Sequence, residues 1–282
     1  MLLHIPYKSS FVAYYKFGAG SKSLFCFHGY GESGNMFEPL ENFLGKKYTL
    51  YAIDFPFHGN TEWNDALPFT IDDLLYILKA IQQRESSNPA AALQPTSVLG
   101  YSLGGRIVFY LLEKIPQLIE QAVLLAPDGM HKSVWYKLGI EIKWGNKLFA
   151  QIPHRYKWLL FLAAFLKRIG IINKSVFNMV AMNVETEFKR KRLFNGTMAM
   201  RMLYPNMKEV CLKIRDYQIA TTIVLGKYDN IIPPKRVKIL KKNLSPCLKI
   251  MEIESGHIIL KEKNLSLITK LFMPTIEPRQ AF

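Results

Sequence analysis

The stretch Gly100-Tyr101-Ser102-Leu103-Gly104 constrains this chain more than any other. It follows the short apolar run Thr96-Ser97-Val98-Leu99, which reads as a buried strand. It precedes Ile107-Val108-Phe109-Tyr110-Leu111-Leu112, which reads as an apolar helix. A serine with glycines two positions away on either side, at a strand-to-helix junction, fits a nucleophile elbow. Such a turn strains the serine backbone, and side chains at the flanking positions would collide with the neighbouring strand and helix. The hydroxyl is thereby lifted above a sheet, at the positive end of a helix dipole.

Around this turn, strands and helices alternate. Val12–Phe17, Ser23–Phe27, Tyr48–Ile53, Gln121–Pro127, Ala220–Gly226 and Leu248–Ile253 read as strands. Helical spacing covers Met36–Leu44, a segment starting at Ile71 behind a Thr70 cap, Lys235–Leu244 and Leu265–Phe272. Short apolar strands separated by helices predict an α/β fold, a mainly parallel sheet flanked by helices on both faces. The alternation stops at Asp128 and resumes near Thr221. Between them Trp158–Ile172, Val176–Met182 and Glu185–Met202 are all helical in spacing. The expected organisation is a core of residues 1–128 and 217–282 with an inserted helical cap, residues 129–216.

The net charge of +15 is concentrated in that insert, where residues 130–215 hold 17 Lys/Arg against 4 Asp/Glu. The basic positions include Lys132, Lys137, Lys143, Lys147, Arg155, Lys157, Lys167, Arg168 and the run Lys189-Arg190-Lys191-Arg192. A solvated helix face is the plain reading. Attraction of anionic substrates is a sharper one. Another is peripheral membrane contact, through Trp158-Leu159-Leu160-Phe161-Leu162 followed by Lys167-Arg168. No nucleic-acid reader motif accompanies the charge, so nucleic acid is not an expected partner. The longest apolar run, Trp158 to Leu166, is far shorter than the ~20 residues a bilayer requires. Three scattered cysteines, Cys26, Cys211 and Cys247, make neither a disulfide framework nor a metal pattern. With no signal-peptide pattern at Met1–Lys8, the expectation is a cytoplasmic protein.

Four motifs in order give the chain its resemblance to the α/β-hydrolase superfamily, in the serine hydrolase branch with a helical cap. They are His28-Gly29-Tyr30-Gly31, the Gly100–Gly104 elbow, Gly226-Lys227-Tyr228-Asp229 and Ser255-Gly256-His257. Asp54-Phe55-Pro56-Phe57-His58-Gly59 is similar to the family's Asp-x-Pro-Gly-His-Gly turn, with Phe57 where glycine is usual. The chemistry asks for these residue types. A serine hydroxyl is a weak nucleophile at neutral pH and needs a base, for which His257 is the candidate. Asp229 would fix the imidazole tautomer and stabilise the imidazolium. Asp128 is the alternative acid, since some superfamily members supply it from that strand end. By resemblance, the backbone N–H groups of Tyr30 and Leu103 would meet the developing oxyanion.

His28, Gly29, Tyr101, Arg106, Trp135 and Trp144 are the candidate substrate-binding residues. No metal ligand set and no nucleotide-binding glycine pattern is present, so no cofactor is implied. A serine at the elbow argues against the dehalogenase and epoxide-hydrolase branches, which use aspartate there. Three functions fit. The first is hydrolysis of a carboxylic ester or related acyl bond of a small or medium, possibly anionic, substrate through an acyl-enzyme. The second is a pyruvate-eliminating lyase of the menaquinone-pathway type, because Tyr101-Ser102-Leu103-Gly104-Gly105-Arg106 is similar to that enzyme's elbow. The third is a non-catalytic ligand-binding homologue.

Overall fold

The computed structural model of the protein describes residues 1–85, 92–132, 136–237, 240 and 246–272. The described strands are β1 (Leu2–Tyr7), β2 (Ser10–Phe17), β3 (Lys22–Phe27), β4 (Tyr48–Ile53), β5 (Thr96–Tyr101), β6 (Ile119–Leu125), β7 (Ala220–Gly226) and β8 (Leu248–Ile253). They form one sheet in the order β1-β2-β4-β3-β5-β6-β7-β8. Pairing is antiparallel from β1 to β2 and β2 to β4, and parallel from β4 through to β8. The spacing gives no expectation for β1. It tolerates Pro6 because an edge strand can lack a ladder donor.

The described α-helices are α1 (Glu41–Leu44), α2 (Ile71–Glu85), α3 (Leu103–Lys114), α4 (Lys143–Phe149), α5 (Lys157–Arg168), α6 (Lys174–Val184), α7 (Glu187–Met200), α8 (Met207–Asp216) and α9 (Glu262–Lys270). Thr70 does cap α2: its hydroxyl accepts from the Asp73 N–H at 3.3 Å, while the Asp73 carboxylate accepts from the Thr70 N–H at 2.8 Å. Beyond Pro234–Val237, a 3-10 turn, most of the helix expected to Leu244 lies outside the described residues.

Because strand side chains alternate between faces, the sheet builds two cores. One gathers Phe25, Phe27, Val98 and Ile223 against Leu74, Ile77 and Leu78 of α2, and Ile107, Phe109 and Leu111 of α3. The other gathers Leu24, Cys26, Leu50 and Leu99 against Phe37, Leu40 and Leu44, and Leu265 and Ile268 of α9. Each fully buried Leu, Ile or Phe contributes about 1.5–3 kcal/mol of transfer free energy.

The segment between β6 and β7 holds helices joined by turns, with no strand among its described residues. Its last helix, α8, sends Met207, Val210, Cys211 and Ile214 into the cluster built on α3. Helix α5 buries only Ala163 and turns Phe161 and Phe165 outward. Among the described residues, no helix is long and apolar enough to cross a membrane.

Topology sets where a site can form. From β3 the chain passes to β4 on one side, and later to β5 on the other, so the strand order reverses around β3. In open α/β sheets, crevices form outside the carboxyl ends of the strands at such a reversal. The loops after β3, β5, β6, β7 and β8 carry His28, Ser102, Asp128, Asp229 and His257, all at that carboxyl edge.

Candidate active site

Ser102 sits between β5 and α3 with φ 50° and ψ −110°, outside the ordinary regions for an L-residue. Such a conformation costs of order 1–3 kcal/mol and persists only where neighbours over-determine it. They do so here. The Ser102 N–H donates to Leu125 O at 2.9 Å, and its carbonyl accepts from Asp128 N at 2.9 Å and Gly105 N at 3.0 Å. Helix α3 crosses β3 closely at Gly104, where a β-carbon would stand 1.8 Å from Phe27 O.

Three side chains from distant parts of the chain meet in one hydrogen-bonded series. Ser102 Oγ lies 3.0 Å from His257 Nε2, and His257 Nδ1 lies 2.7 Å from Asp229 Oδ2. The other Asp229 oxygen accepts from the N–H groups of Ile231 and Ile232, each at 2.8 Å. Those donors hold the buried carboxylate in place, so the imidazole proton rests on Nδ1 and the Nε2 lone pair faces the serine. The Tyr101 ring packs beside His257, centroids 5.5 Å apart, and is buried.

The loop after β3 closes one side of this centre. At Gly29 a β-carbon would stand 2.9 Å from the Tyr101 ring and 3.4 Å from Ser102 Cβ, so only a residue lacking one sits there unstrained. The Tyr30 N–H therefore belongs to a loop packed on the serine. Leu103 begins α3, and its N–H has no intrahelical acceptor.

His28 is fully buried and braces the loop. Its Nε2 accepts from Phe55 N at 3.1 Å, so Nδ1 donates to Gly29 O at 2.7 Å. Both ring nitrogens are spent on backbone, which removes the His28 side chain from the expected substrate contacts. Burial, with His58 nearby, pushes its pKa down to about 3. His58 donates from Nδ1 to Pro56 O at 2.9 Å, and burial lowers its pKa to about 4. Phe57, at the position where the family has glycine, adopts φ 64°. That left-handed conformation costs a non-glycine residue about 1–2 kcal/mol.

The two histidines make stability depend on pH. Their folded pKa values lie below the ordinary 6.5, so their contribution is complete above pH 6.5 and is lost as pH falls toward 4 and 3. Each supplies a slope of about 1.4 kcal/mol per pH unit within its window. Urea unfolding at pH 7 and pH 5 is expected to show the loss, and His28→Gln to flatten it. Equal midpoints at the two pH values would contradict neutral burial.

The remaining expected residues fall elsewhere. Arg106 is buried with its Nε 3.8 Å from Asp128 Oδ2, and its guanidinium lies 5.9 and 5.3 Å from the rings of Tyr136 and Tyr204. Asp128 thus faces Arg106, while it is Asp229 that bonds His257. Trp144 is 63% exposed on α4 and does not join the other candidates. Trp135 lies outside the described residues. Arg192 of α7, distinguished by the sequence only as one of a basic run, donates from Nη1 to Gly31 O at 3.3 Å.

A mostly parallel, helix-flanked sheet with a strained serine at the end of a central strand defines an α/β hydrolase. The profile for the alpha/beta hydrolase fold matches residues 22–264, and the chain belongs to that family. It is 27% identical over 113 residues to a serine hydrolase-like protein of Danio rerio, covering 38% of this chain and 32% of that one. It is 28% identical over 130 residues to the pimeloyl-[acyl-carrier protein] methyl ester esterase of Xanthomonas axonopodis pv. citri (strain 306), covering 43% and 47% respectively. The chain thus spans about a third and about half of these two relatives. Among solved structures, the α/β hydrolase enzyme MGS-M2, from a Medee basin deep-sea metagenome library, superposes with TM-score 0.70 at 17% identity. That match covers 99% of this chain and 100% of the other.

Proposed function

We propose that the protein is a serine hydrolase that cleaves a carboxylic ester of a small or medium substrate through an acyl-enzyme. The observation that carries this reading is the unbroken series Ser102 Oγ, His257, Asp229 at 3.0 and 2.7 Å. His257 Nε2 takes the hydroxyl proton as Ser102 Oγ attacks the ester carbonyl. The resulting oxyanion accepts from the N–H groups of Leu103 and Tyr30, and Asp229 stabilises the imidazolium. His257 then gives its proton to the departing alcohol. Water repeats the sequence, releasing the acid and restoring the serine. The methyl ester esterase activity of the Xanthomonas relative supports an ester, at an identity that leaves the acyl group open.

The insert between β6 and β7 serves as a lid, since α7 reaches the loop after β3 through Arg192. Few and widely spaced cysteines fit a cytoplasmic setting. For the lyase alternative, the arginine that motivated it is buried beside Asp128 and a pair of packed tyrosine rings, which weakens that reading.

Fluorophosphonate labelling of Ser102, together with release of p-nitrophenol from the acetate or butyrate ester, tests the proposal. A folded protein that does neither is a ligand-binding homologue instead. Asp229→Asn is expected to lower kcat by roughly 10³–10⁴, because the imidazole loses its fixed tautomer. Asp128→Asn is expected to lower it less than about tenfold, because that carboxylate faces Arg106. Comparable losses in the two variants would reassign the acid.

A further inference from the structure

The basic run of α7 separates by partner. Lys189 pairs with Glu185 at 2.5 Å and Lys191 with Glu187 at 2.7 Å, in pairs open to solvent. Arg190 is consumed by structure: it donates to Pro153 O at 3.1 Å and Val184 O at 3.0 Å and lies over the Tyr156 ring. Arg192 differs. Its described contacts are one carbonyl, Gly31 O, the faces of Tyr30 and Phe188 at 5.7 and 5.9 Å, and the Tyr30 hydroxyl, which its charge and hydrogen bonding draw toward ionisation. Among the described residues no carboxylate lies within ion-pair distance of it.

Arg192 Nε is buried without a well-formed hydrogen bond, and so are two atoms near it, Tyr30 Oη and His58 Nε2. The Tyr30 and His58 rings meet edge to face at 5.2 Å, so the atoms belong to one cluster. Buried polar groups are nearly always satisfied, and a group of orphans at one place marks where a ligand or water completes the set. One turn along α7, Gly196 lets the helix approach this cluster; a β-carbon there would stand 3.0 Å from His58 Cε1. The cluster adjoins the loop whose Gly29 packs on Ser102.

We propose that Arg192, with the Tyr30 hydroxyl, forms a subsite for a carboxylate carried by the ester substrate. The preferred substrates would then be monoesters of dicarboxylic acids or similar anionic esters. Both groups are donors. Burial pushes the Tyr30 hydroxyl up to about 12 against the opposing pull of the Arg192 charge, so it keeps its proton, and the arginine is charged throughout. His58 donates from Nδ1 to Pro56 O, so its Nε2 is an acceptor that a carboxylate does not satisfy, and the anion would be met by Arg192 and Tyr30 alone. The inference rests on the ester-hydrolase reading and specifies its substrate class.

The test compares monomethyl glutarate with its neutral amide, methyl glutaramate, by methanol release. Wild-type protein is expected to favour the anion, and Arg192→Gln to reduce the ratio of the two kcat/KM values ten- to a hundredfold, mainly through KM, as loss of a charged hydrogen bond implies. Arg192→Lys should recover part of that ratio. Independently of turnover, glutarate should slow fluorophosphonate labelling of wild-type Ser102, and do so less in Arg192→Gln. An unchanged ratio, with both substrates losing equally, would mean that Arg192 only holds the Gly31 loop and would overturn the subsite. Hydrolysis of the amide with no preference for the anion would overturn the subsite alone. Hydrolysis of neither, with no labelling, would overturn the ester-hydrolase reading as well.

Discussion

Replacing Ser102 with alanine is expected to lower kcat toward esters by about 10⁴–10⁶ and to abolish fluorophosphonate labelling. The variant removes one oxygen atom and leaves the backbone bonds to Leu125, Asp128 and Gly105 in place, so circular dichroism and Tm should match wild type. His257→Ala should cost a similar factor, since without the imidazole the serine has no base within reach. The two groups act as a unit, so the double variant should be hardly worse than either single one. A Ser102→Ala protein retaining more than about a hundredth of wild-type turnover would place the reacting group elsewhere.

The second large effect concerns stability. Gly104→Ala inserts a β-carbon where Phe27 O stands 1.8 Å away. Both parties are main chain, so no rotamer change relieves the clash, and α3 must lift from β3. Overpacking of this kind costs about 3 kcal/mol or more, which in a chain of this size lowers Tm by roughly 10 °C. The same displacement tilts the turn carrying Ser102, so activity should fall with stability. Gly139→Ala supplies the control, because nothing lies within 4 Å of a β-carbon there. Should Gly104→Ala be insoluble, Gly105→Ala, whose β-carbon would meet Pro127 Cβ at 2.4 Å, gives a second measure. Equal melting temperatures for Gly104→Ala, Gly105→Ala and Gly139→Ala would show that this packing is not close.

Much of this arrangement is legible in the sequence, because strand ends carry local signals. Apolar runs of four to seven residues mark the parallel strands, and the glycines around Ser102, Asp229 and His257 mark the turns that follow them. What sits at one sheet edge then follows from topology. Interactions decided by rotation of a helix, or by burial, are not legible in the same way. The stripe Met207, Val210, Cys211 and Ile214 is visible as an amphipathic pattern, but no local feature tells whether it faces the sheet or the insert. Arg106 carries the same charge whether it meets a substrate or lies buried beside Asp128 and two tyrosines. Within Lys189-Arg190-Lys191-Arg192 the four residues look equivalent, and only the angle of α7 sends the last of them toward Gly31. Leu2–Tyr7 gives no clear period because Pro6 interrupts it and the strand lies at an edge.

Ser102 and His257 are 155 positions apart along the chain, yet they touch. On the proposed mechanism, a growing polypeptide therefore acquires its nucleophile long before the partner that activates it. Until β8 docks beside β7 and brings the loop after it, the serine would be an ordinary alcohol. The nascent protein would then stay chemically silent while the residues between the two are made.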